Sequence, residues 1–161
     1  MRIVNGVGPA RAKIALVGEA PGEKEDLAGV PFVGRAGKFL DSVLSKSGLE
    51  RQDLFVSNIV RCRPPENRKP RTDEMESCLP YLLEELKIAR PAVVVAMGSA
   101  AITALTGIRG KIGPNIGKKI EICSGDFLFT VIPCYHPSAA MRNRVLREKF
   151  EKVIASLAKI D

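Results

Sequence analysis

The only histidine in the chain is His136, so an enzyme that relies on imidazole chemistry has one candidate residue for it. His136 follows an apolar segment that predicts a β-strand, and Pro137 and Ser138 come directly after it. A single histidine is more often structural than catalytic. Its position between the end of a strand and an arginine-rich helix nevertheless favours a catalytic role, because sites in parallel sheets form at strand ends.

A second candidate is a carboxylate in residues 18–26 (GEAPGEKED). Two glycines and a proline after a predicted strand make a tight turn that can present backbone N–H groups and a carboxylate to a pocket. The segment lacks the Gly-Lys-Ser/Thr ending of a phosphate-binding P-loop, and it is not a GxGxxG turn. Either its four acids are solvated at an ordinary turn, or one of them serves a site in a chain of net charge +7.

Asn58 and Phe32 are residue types that can recognise a nucleobase. Asn58 lies in an apolar segment, where its amide either bonds neighbouring backbone or reads the donor and acceptor edge of a pyrimidine. Phe32 lies between Pro31 and Val33 in a loop flanked by glycines. It either fills the core under that loop or forms a stacking platform for a base.

Residues 61–71 combine five basic residues, three prolines and one acid. Proline restricts the backbone, so the cations of this segment are expected to lie along an extended loop. Such a loop suits contacts with the phosphates of a nucleic acid, and the alternative is an ordinary solvated surface loop.

The composition is that of a globular protein with a positive charge. The chain has 161 residues, 45% of them hydrophobic, with 25 Lys and Arg against 18 Asp and Glu. No apolar run approaches the roughly 20 residues of a membrane span, and the first residues lack the apolar core of a secretory signal. We therefore expect a cytoplasmic protein without membrane association, whose four cysteines are thiols or metal ligands. The charge makes a polyanionic partner plausible.

Apolar and amphipathic segments alternate along the chain, which is typical of a parallel sheet covered by helices. Thr72 is expected to cap a helix that Pro80 kinks or restarts. Strands are predicted at 13–17, 54–60, 91–98, 120–123 and 127–133, helices at 35–46, 72–88 and 137–160, and a loop at 107–119. The predicted fold class is α/β, a three-layer α/β/α sandwich around a central, mostly parallel four-stranded sheet, in a single domain spanning residues 1–161.

Six segments carry a resemblance to a known family. They are GEAPGEKED (18–26), GVPFVGRAG (29–37), SNIVRCRPPENRKP (57–70), ESCLPYL (76–82), MGSAA (97–101) and HPSAAMRN (136–143). In this order and spacing they resemble family 4 of the uracil-DNA glycosylase superfamily over nearly the whole chain. The resemblance implies a doubly wound α/β/α fold, a monomer, and hydrolysis of the N-glycosidic bond between uracil and deoxyribose in DNA.

The resemblance also implies roles for individual residues. Phe32 would stack on the extruded uracil, and Asn58 would hydrogen-bond its N3–H and O4 edge, which leaves cytosine mismatched. His136 would donate to O2 of the departing uracil anion, and Glu19 would position water or stabilise the oxocarbenium-like sugar. Further pocket residues implied by the family motifs are Ala20, where another branch of the superfamily has an aspartate, Glu25 and Asn67.

The HPSAAMRN segment resembles the wedge that enters the minor groove and fills the space left by the flipped base. The intruding residue is either Met141 or Arg142, and the sequence leaves that choice open. The DNA contacts taken from the loop at 61–71 and from this wedge are Arg61, Arg63, Arg68, Lys69, Ser138, Met141 and Arg142.

Family 4 holds a [4Fe–4S] cluster on four cysteines, and Cys62 and Cys78 match two of these ligands. The family's N-terminal CxxC pair has no counterpart in this sequence. Three explanations are open: the natural start lies further upstream, the cluster has been lost, or Cys123 and Cys134 replace the missing ligands.

Two other functions are compatible with the sequence. The same fold could release another deaminated base, such as hypoxanthine, or the chain could be a DNA-binding module without catalysis. The second alternative would be marked by loss of Glu19, Asn58 or His136, and all three are present.

Overall fold

The computed structural model describes residues 1–160, which fold around a five-stranded sheet in the order β2-β1-β3-β5-β4. The strands are β1 (Ile14–Gly18), β2 (Phe55–Asn58), β3 (Val93–Met97), β4 (Ile120–Ser124) and β5 (Phe127–Cys134). Four of them are parallel, and β4 runs antiparallel to β5. The sheet therefore has one strand more than the four that were predicted. Gly125, at a φ of +63°, turns the chain between β4 and β5, so β4 joins the sheet as its edge.

Helices cover both faces of the sheet. They are α1 (Glu23–Ala28), α2 (Arg35–Lys46), α3 (Thr72–Ala89), α4 (Ser99–Thr106), α5 (Pro137–Arg142) and α6 (Arg144–Leu157). Contacts join α2, α5 and α6 in one layer, and α3 and α4 form the opposite layer. The prediction of a three-layer α/β/α sandwich is confirmed. Among the described residues, no helix combines the length and the hydrophobicity that crossing a bilayer requires.

Side chains alternate between two cores along each central strand. Leu16 of β1 and Val95 of β3 lie in the core under α2, α5 and α6, whereas Ala15 and Val94 face α3 and α4. Every residue of β1 and β3 is buried. Strands buried on both faces read as continuous apolar runs, which is why these segments were recognisable in the sequence.

The predicted helix at 137–160 is broken. α5 ends at Arg142, and α6 begins at Arg144. Between them Asn143 adopts an extended conformation, and its side chain accepts hydrogen bonds from the N–H groups of Val145 and Leu146. An Asn that caps a helix in this way also ends the preceding one, so the wedge segment becomes a short helix of its own.

Helix α3 differs from the prediction at two places. Its N-cap is Arg71, not Thr72, and Thr72 is its first residue. The helix runs on through Pro80 without restarting. Pro80 and Glu76, four residues earlier, are both exposed, so the carbonyl that Pro80 leaves without a donor faces water.

Candidate active site

The carboxyl ends of four neighbouring strands bring the candidate residues together. Gly18 at the end of β1 pairs with Asn58 at the end of β2, and Met97 of β3 pairs with Cys134 of β5, two residues before His136. Beyond β1, the carbonyl of Glu19 accepts a hydrogen bond from the N–H of Val60 at 3.0 Å. β2 lies on one side of β1 and β3 lies on the other, so the strand order reverses at β1. Open parallel sheets bind their ligands at the carboxyl ends of the strands beside such a reversal.

Phe32 and Asn58 both pack against Gly18. A Cβ atom at Gly18 would overlap the ring of Phe32 and come within 2.6 Å of Asn58 Oδ1. The Phe32 ring centroid lies 5.9 Å from that of His136, with the two planes inclined at 30°. An aromatic ring, an amide and an imidazole therefore lie close together at the carboxyl end of the sheet.

Asn58 is buried, with 4% of its surface exposed, and its Oδ1 atom has no hydrogen-bond partner. A buried carbonyl oxygen without a donor is costly to keep, because the water that would satisfy it is excluded. This oxygen does not bond neighbouring backbone, which was one of the two sequence alternatives. It is available to a ligand that presents an N–H group.

His136 is oriented by Ser138, two residues further along. The Nδ1 atom accepts a hydrogen bond from the backbone N–H of Ser138 at 3.2 Å and lies 2.8 Å from Ser138 Oγ. Burial lowers the pKa of His136 from 6.5 to about 4, so the ring is neutral at neutral pH. Since a backbone N–H can only donate, Nδ1 is the acceptor and the single ring proton lies on Nε2.

Glu19 is half-buried directly after β1. Burial raises the pKa of its carboxyl group, and the positive charge of Lys69 opposes that shift. Lys69 therefore lies near the carboxylate, although the two residues are 50 positions apart in the sequence. This places the loop at 61–71 beside the site.

A cleft of about 410 Å³ brings the wedge segment next to α1 and the start of α2. Glu25 reaches into it between Gly22 and Gly34, since a Cβ atom at Gly34 would lie 3.4 Å from either carboxylate oxygen. The residues that line the cleft include three of the predicted contacts to DNA: Ser138, Met141 and Arg142.

Phe32 is 5% exposed and belongs to the hydrophobic core, yet it also borders the site. Its φ of +55° lies in the left-handed region, which bulky side chains rarely adopt. Ala20 is half-buried and packs against the core on the other face of the sheet.

The basic segment at 61–71 is less free than its sequence indicates. Arg61 is 8% exposed, and its Nη1 lies 2.7 Å from a carboxylate oxygen of Glu85 and 2.9 Å from Asn5 Oδ1. A guanidinium buried and paired in this way is held inside the fold, next to β2. Its pairing with Glu85 of α3 disfavours the predicted contact of Arg61 with DNA.

Other members of that segment are also paired. Two hydrogen bonds, of 2.7 and 2.9 Å, join Arg68 to Glu74, and Arg68 is the main cause that lowers the pKa of Glu74 to about 2. Arg63 donates to the side chain of Asn67 at 2.7 Å, and Asn67 is exposed at a φ of +55°.

Two further segments carry as much net positive charge as the loop at 61–71, and one of them, 107–119, belongs to none of the motifs. Residues 107–119 contain four cations and no acid, and residues 137–160 contain six cations against two acids. The loop at 107–119 contacts the carboxyl end of β5, since the N–H group of Gly117 donates to Pro133 O at 2.9 Å. The absence of acidic residues from 107–119 is the feature of the sequence that could have indicated a positively charged loop.

Cys62 and Cys78 line one cavity of about 430 Å³, together with Met1. Burial and the neighbouring Cys78 raise the pKa of the Cys62 thiol. Cys123 lies on β4, at the far edge of the sheet, and Cys134 is fully buried at the end of β5. Within residues 1–160, no three His, Cys, Asp or Glu side chains are grouped closely enough to hold a metal ion.

A [4Fe–4S] cluster normally requires four cysteine ligands, and the cavity presents two. The described residues therefore do not fit a complete cluster site, and Cys123 and Cys134 do not supply the missing ligands.

Comparison with known proteins gives a consistent result. A sequence model of the uracil DNA glycosylase superfamily matches residues 5–158. The chain is 40% identical over 156 residues to a type-4 uracil-DNA glycosylase of Pyrobaculum aerophilum, covering 94% of this chain and 80% of that protein. It is 40% identical over 161 residues to one of Archaeoglobus fulgidus (92% and 76%) and 42% identical over 143 residues to one of Thermotoga maritima (88% and 73%).

Proposed function

Since this chain belongs to the uracil-DNA glycosylase superfamily, we propose that it is a DNA-repair hydrolase that flips uracil out of DNA and hydrolyses its N-glycosidic bond, leaving an abasic site. Relatives at 40–42% identity that are named type-4 uracil-DNA glycosylases support both the activity and the reaction class. The observation that carries the proposal is the buried, unpartnered Oδ1 of Asn58 beside Phe32 and His136.

Recognition of the base uses Phe32 and Asn58. Flipping uracil out of the stack costs a few kcal/mol, which stacking on the Phe32 ring partly offsets. The free Oδ1 of Asn58 accepts the N3–H of uracil, and the amide nitrogen faces O4. Cytosine has an acceptor at N3 and an amino group in place of O4, so both contacts would be mismatched.

Departure of the base uses His136. When the C1′–N1 bond breaks, uracil leaves as an anion whose charge is shared with O2. The Nε2–H group of the neutral His136 ring donates to O2 and stabilises this charge, and the hydrogen bond from Ser138 holds the ring in that orientation. A buried, fixed dipole is more effective here than water would be.

Glu19 acts on the sugar side of the bond. Its carboxylate stabilises the positive charge that develops on the sugar and positions the water that attacks C1′. The proton that this water loses goes to the carboxylate or to the departed uracil anion. Burial raises the pKa of Glu19 and thereby disfavours the charged form, and the positive charge of Lys69 partly offsets this.

Contacts to DNA come from the wedge and from the loop at 61–71. Met141 or Arg142 enters the groove beside the cleft that Glu25 and Ser138 also line. Arg63, Arg68 and Lys69 approach the phosphates with Asn67, whereas Arg61 supports the strand from inside. We infer that the chain works as a cytoplasmic monomer and that part of its DNA affinity comes from the cations of 107–119 and 137–160.

The test is base release from single- and double-stranded oligonucleotides that each carry one lesion. Uracil is expected to be released from both, leaving an unbroken strand with an abasic site that hot alkali then cleaves. Hypoxanthine and thymine are expected to remain attached. Release of hypoxanthine without uracil would contradict the proposed substrate, and DNA binding without release of any base would contradict the proposed reaction.

A further inference from the structure

Arg51 lies outside the candidate active site, yet its guanidinium group binds the segment that carries Phe32. Its Nη2 donates to Phe32 O at 2.5 Å, and its Nη1 donates to Pro31 O at 3.1 Å. Its Nε is bound to Asp41 Oδ1 of α2 at 2.6 Å, and Gly37 O lies 3.5 Å from Nη2. One side chain therefore ties two consecutive carbonyl groups of the Phe32 loop to helix α2.

The backbone of Phe32 requires such support. A φ of +55° brings the side chain of an L-residue close to its own carbonyl group, and a bulky residue keeps this conformation only where its surroundings enforce it. The carbonyl of Phe32 also lies so close to Gly37 that no side chain could be accommodated there. The loop is thus pressed against the first turn of α2, and Arg51 supplies the donors that its carbonyl groups need in that position.

The conformation of this loop decides where the Phe32 ring points. In the observed conformation the ring packs over Gly18 and lies 5.9 Å from the His136 ring. A return of Phe32 to a negative φ would swing the ring away from Asn58 and His136. Arg51 contacts this loop only through the backbone oxygens of Pro31 and Phe32, so it affects the orientation of the Phe32 ring and leaves the ring itself untouched.

We propose that Arg51 is a positioning residue for base release: by binding the carbonyl groups of Pro31 and Phe32, it fixes the backbone conformation that aims the Phe32 ring at the extruded uracil. This inference rests on the proposed function of the site. A planar guanidinium can serve two carbonyl groups and a carboxylate at once, whereas a lysine ammonium in the same place would serve them as a single point charge.

Arg51 can be replaced without opening a hole in the core. Its side chain is 28% exposed and lines an open groove of about 730 Å³ at the surface, to which Phe32, Asn58 and His136 do not contribute. The proposal is therefore accessible to mutation, because a shorter or uncharged side chain at this position loses its hydrogen bonds and little buried apolar surface.

The test is a double-mutant cycle between Arg51→Met and Phe32→Leu, measured as single-turnover uracil release and as DNA affinity. Phe32→Leu keeps apolar bulk under the loop and removes the aromatic face. Arg51→Met is expected to slow release about 100-fold in the parent while DNA affinity changes little, because a displacement of about 1 Å has that cost in rate. In the Phe32→Leu background the same change is expected to cost less than about threefold, because the two residues act as one unit.

Asp41→Asn is the matched control. It removes the exposed ion pair of Arg51 and leaves the carbonyl contacts, so it is expected to stay within about threefold of the parent. Thermal unfolding of each variant shows whether it is folded, and Arg51→Lys takes the place of Arg51→Met in the cycle if the latter is not. Parental rates in the Arg51 variants, or the same fold-loss with and without Phe32, would overturn the proposal. A parent protein that releases no uracil would instead contradict the proposed function, on which this inference depends.

Discussion

His136→Ala is expected to slow uracil release by about 10²–10³-fold, the loss typical of removing one fixed donor to a developing negative charge. The variant keeps Glu19 and Asn58, so the base is still recognised and the water still positioned, but O2 of the departing uracil has no donor. DNA affinity is expected to remain within a few-fold of the parent. The measurement is single-turnover release from a duplex with one uracil, beside binding of the same duplex without it.

Tyr135→Phe is the control for the His136 variant, because Tyr135 directly precedes His136 and its hydroxyl lies near Gly113. It is expected to retain the parental rate. If His136→Ala were as active as the parent, His136 would not be the donor. If DNA affinity fell as steeply as the rate, His136 would serve the binding of DNA and not the chemistry.

Asn58→Asp is expected to reduce uracil release by at least about 10²-fold, although the two side chains have nearly the same shape. The change replaces an amide donor by an oxygen, so a carboxylate would face O4 of uracil and oppose the negative charge of the departing base. A site built to match a polar group rejects a ligand whose matching group is absent or inverted by large factors. The measurement is the single-turnover rate on single-stranded DNA, where the cost of opening a duplex does not enter.

Asn115→Asp supplies the same chemical change in a short 3₁₀ turn, in the loop between α4 and β4. Its charge lies among the cations of 107–119 and is expected to weaken DNA binding, whereas the single-turnover rate at saturating protein is expected to equal the parental rate. Thermal unfolding of Asn58→Asp separates a folding defect from a defect in recognition. A folded Asn58→Asp variant with the parental rate would show that Asn58 does not read the base, and the unpartnered Oδ1 atom would then lack an explanation.

The parts of the fold that were predictable are those with local signals. Continuous apolar runs marked β1 and β3, and the end of a predicted strand placed His136 at the carboxyl edge of the sheet. Asn58 was predicted inside the strand at 54–60, and the structure ends β2 at this residue. The break at Asn143 depends on a cap that competes with a helical pattern on both sides. A pattern of apolar residues alone could not show it.

Long-range pairing was not predictable from one sequence. Arg61 pairs with Glu85 on α3, 24 residues later in the sequence. Arg51 donates to the carbonyl groups of Pro31 and Phe32, which lie 20 and 19 residues earlier. A run of cations in a sequence therefore overstates the charge that a surface offers, as the pairing of Arg68 with Glu74 also illustrates. Conversely, the loop at 107–119 contains no acid, so its four cations have no partner within their own segment.

The mechanism depends most on a neutral imidazole at the departing uracil, and the same property has a consequence for stability. With a pKa of about 4 in the folded state and 6.5 as its ordinary value, His136 takes up a proton on unfolding between these two pH values. The unfolded state binds more protons in that window, so stability is lost as the pH falls from 6.5 to 4. The loss from this residue alone is about 3 kcal/mol.

The most direct measurement is ¹⁵N NMR of the imidazole ring across pH 8 to 4, in protein labelled at histidine. Because His136 is the only histidine, the ring signals need no assignment. The expected result is a proton on Nε2, an unprotonated Nδ1, and no titration until the pH approaches about 4. A ring that titrates near its ordinary pKa of 6.5, or that carries its proton on Nδ1, would contradict the proposed role of His136 as a neutral donor to uracil.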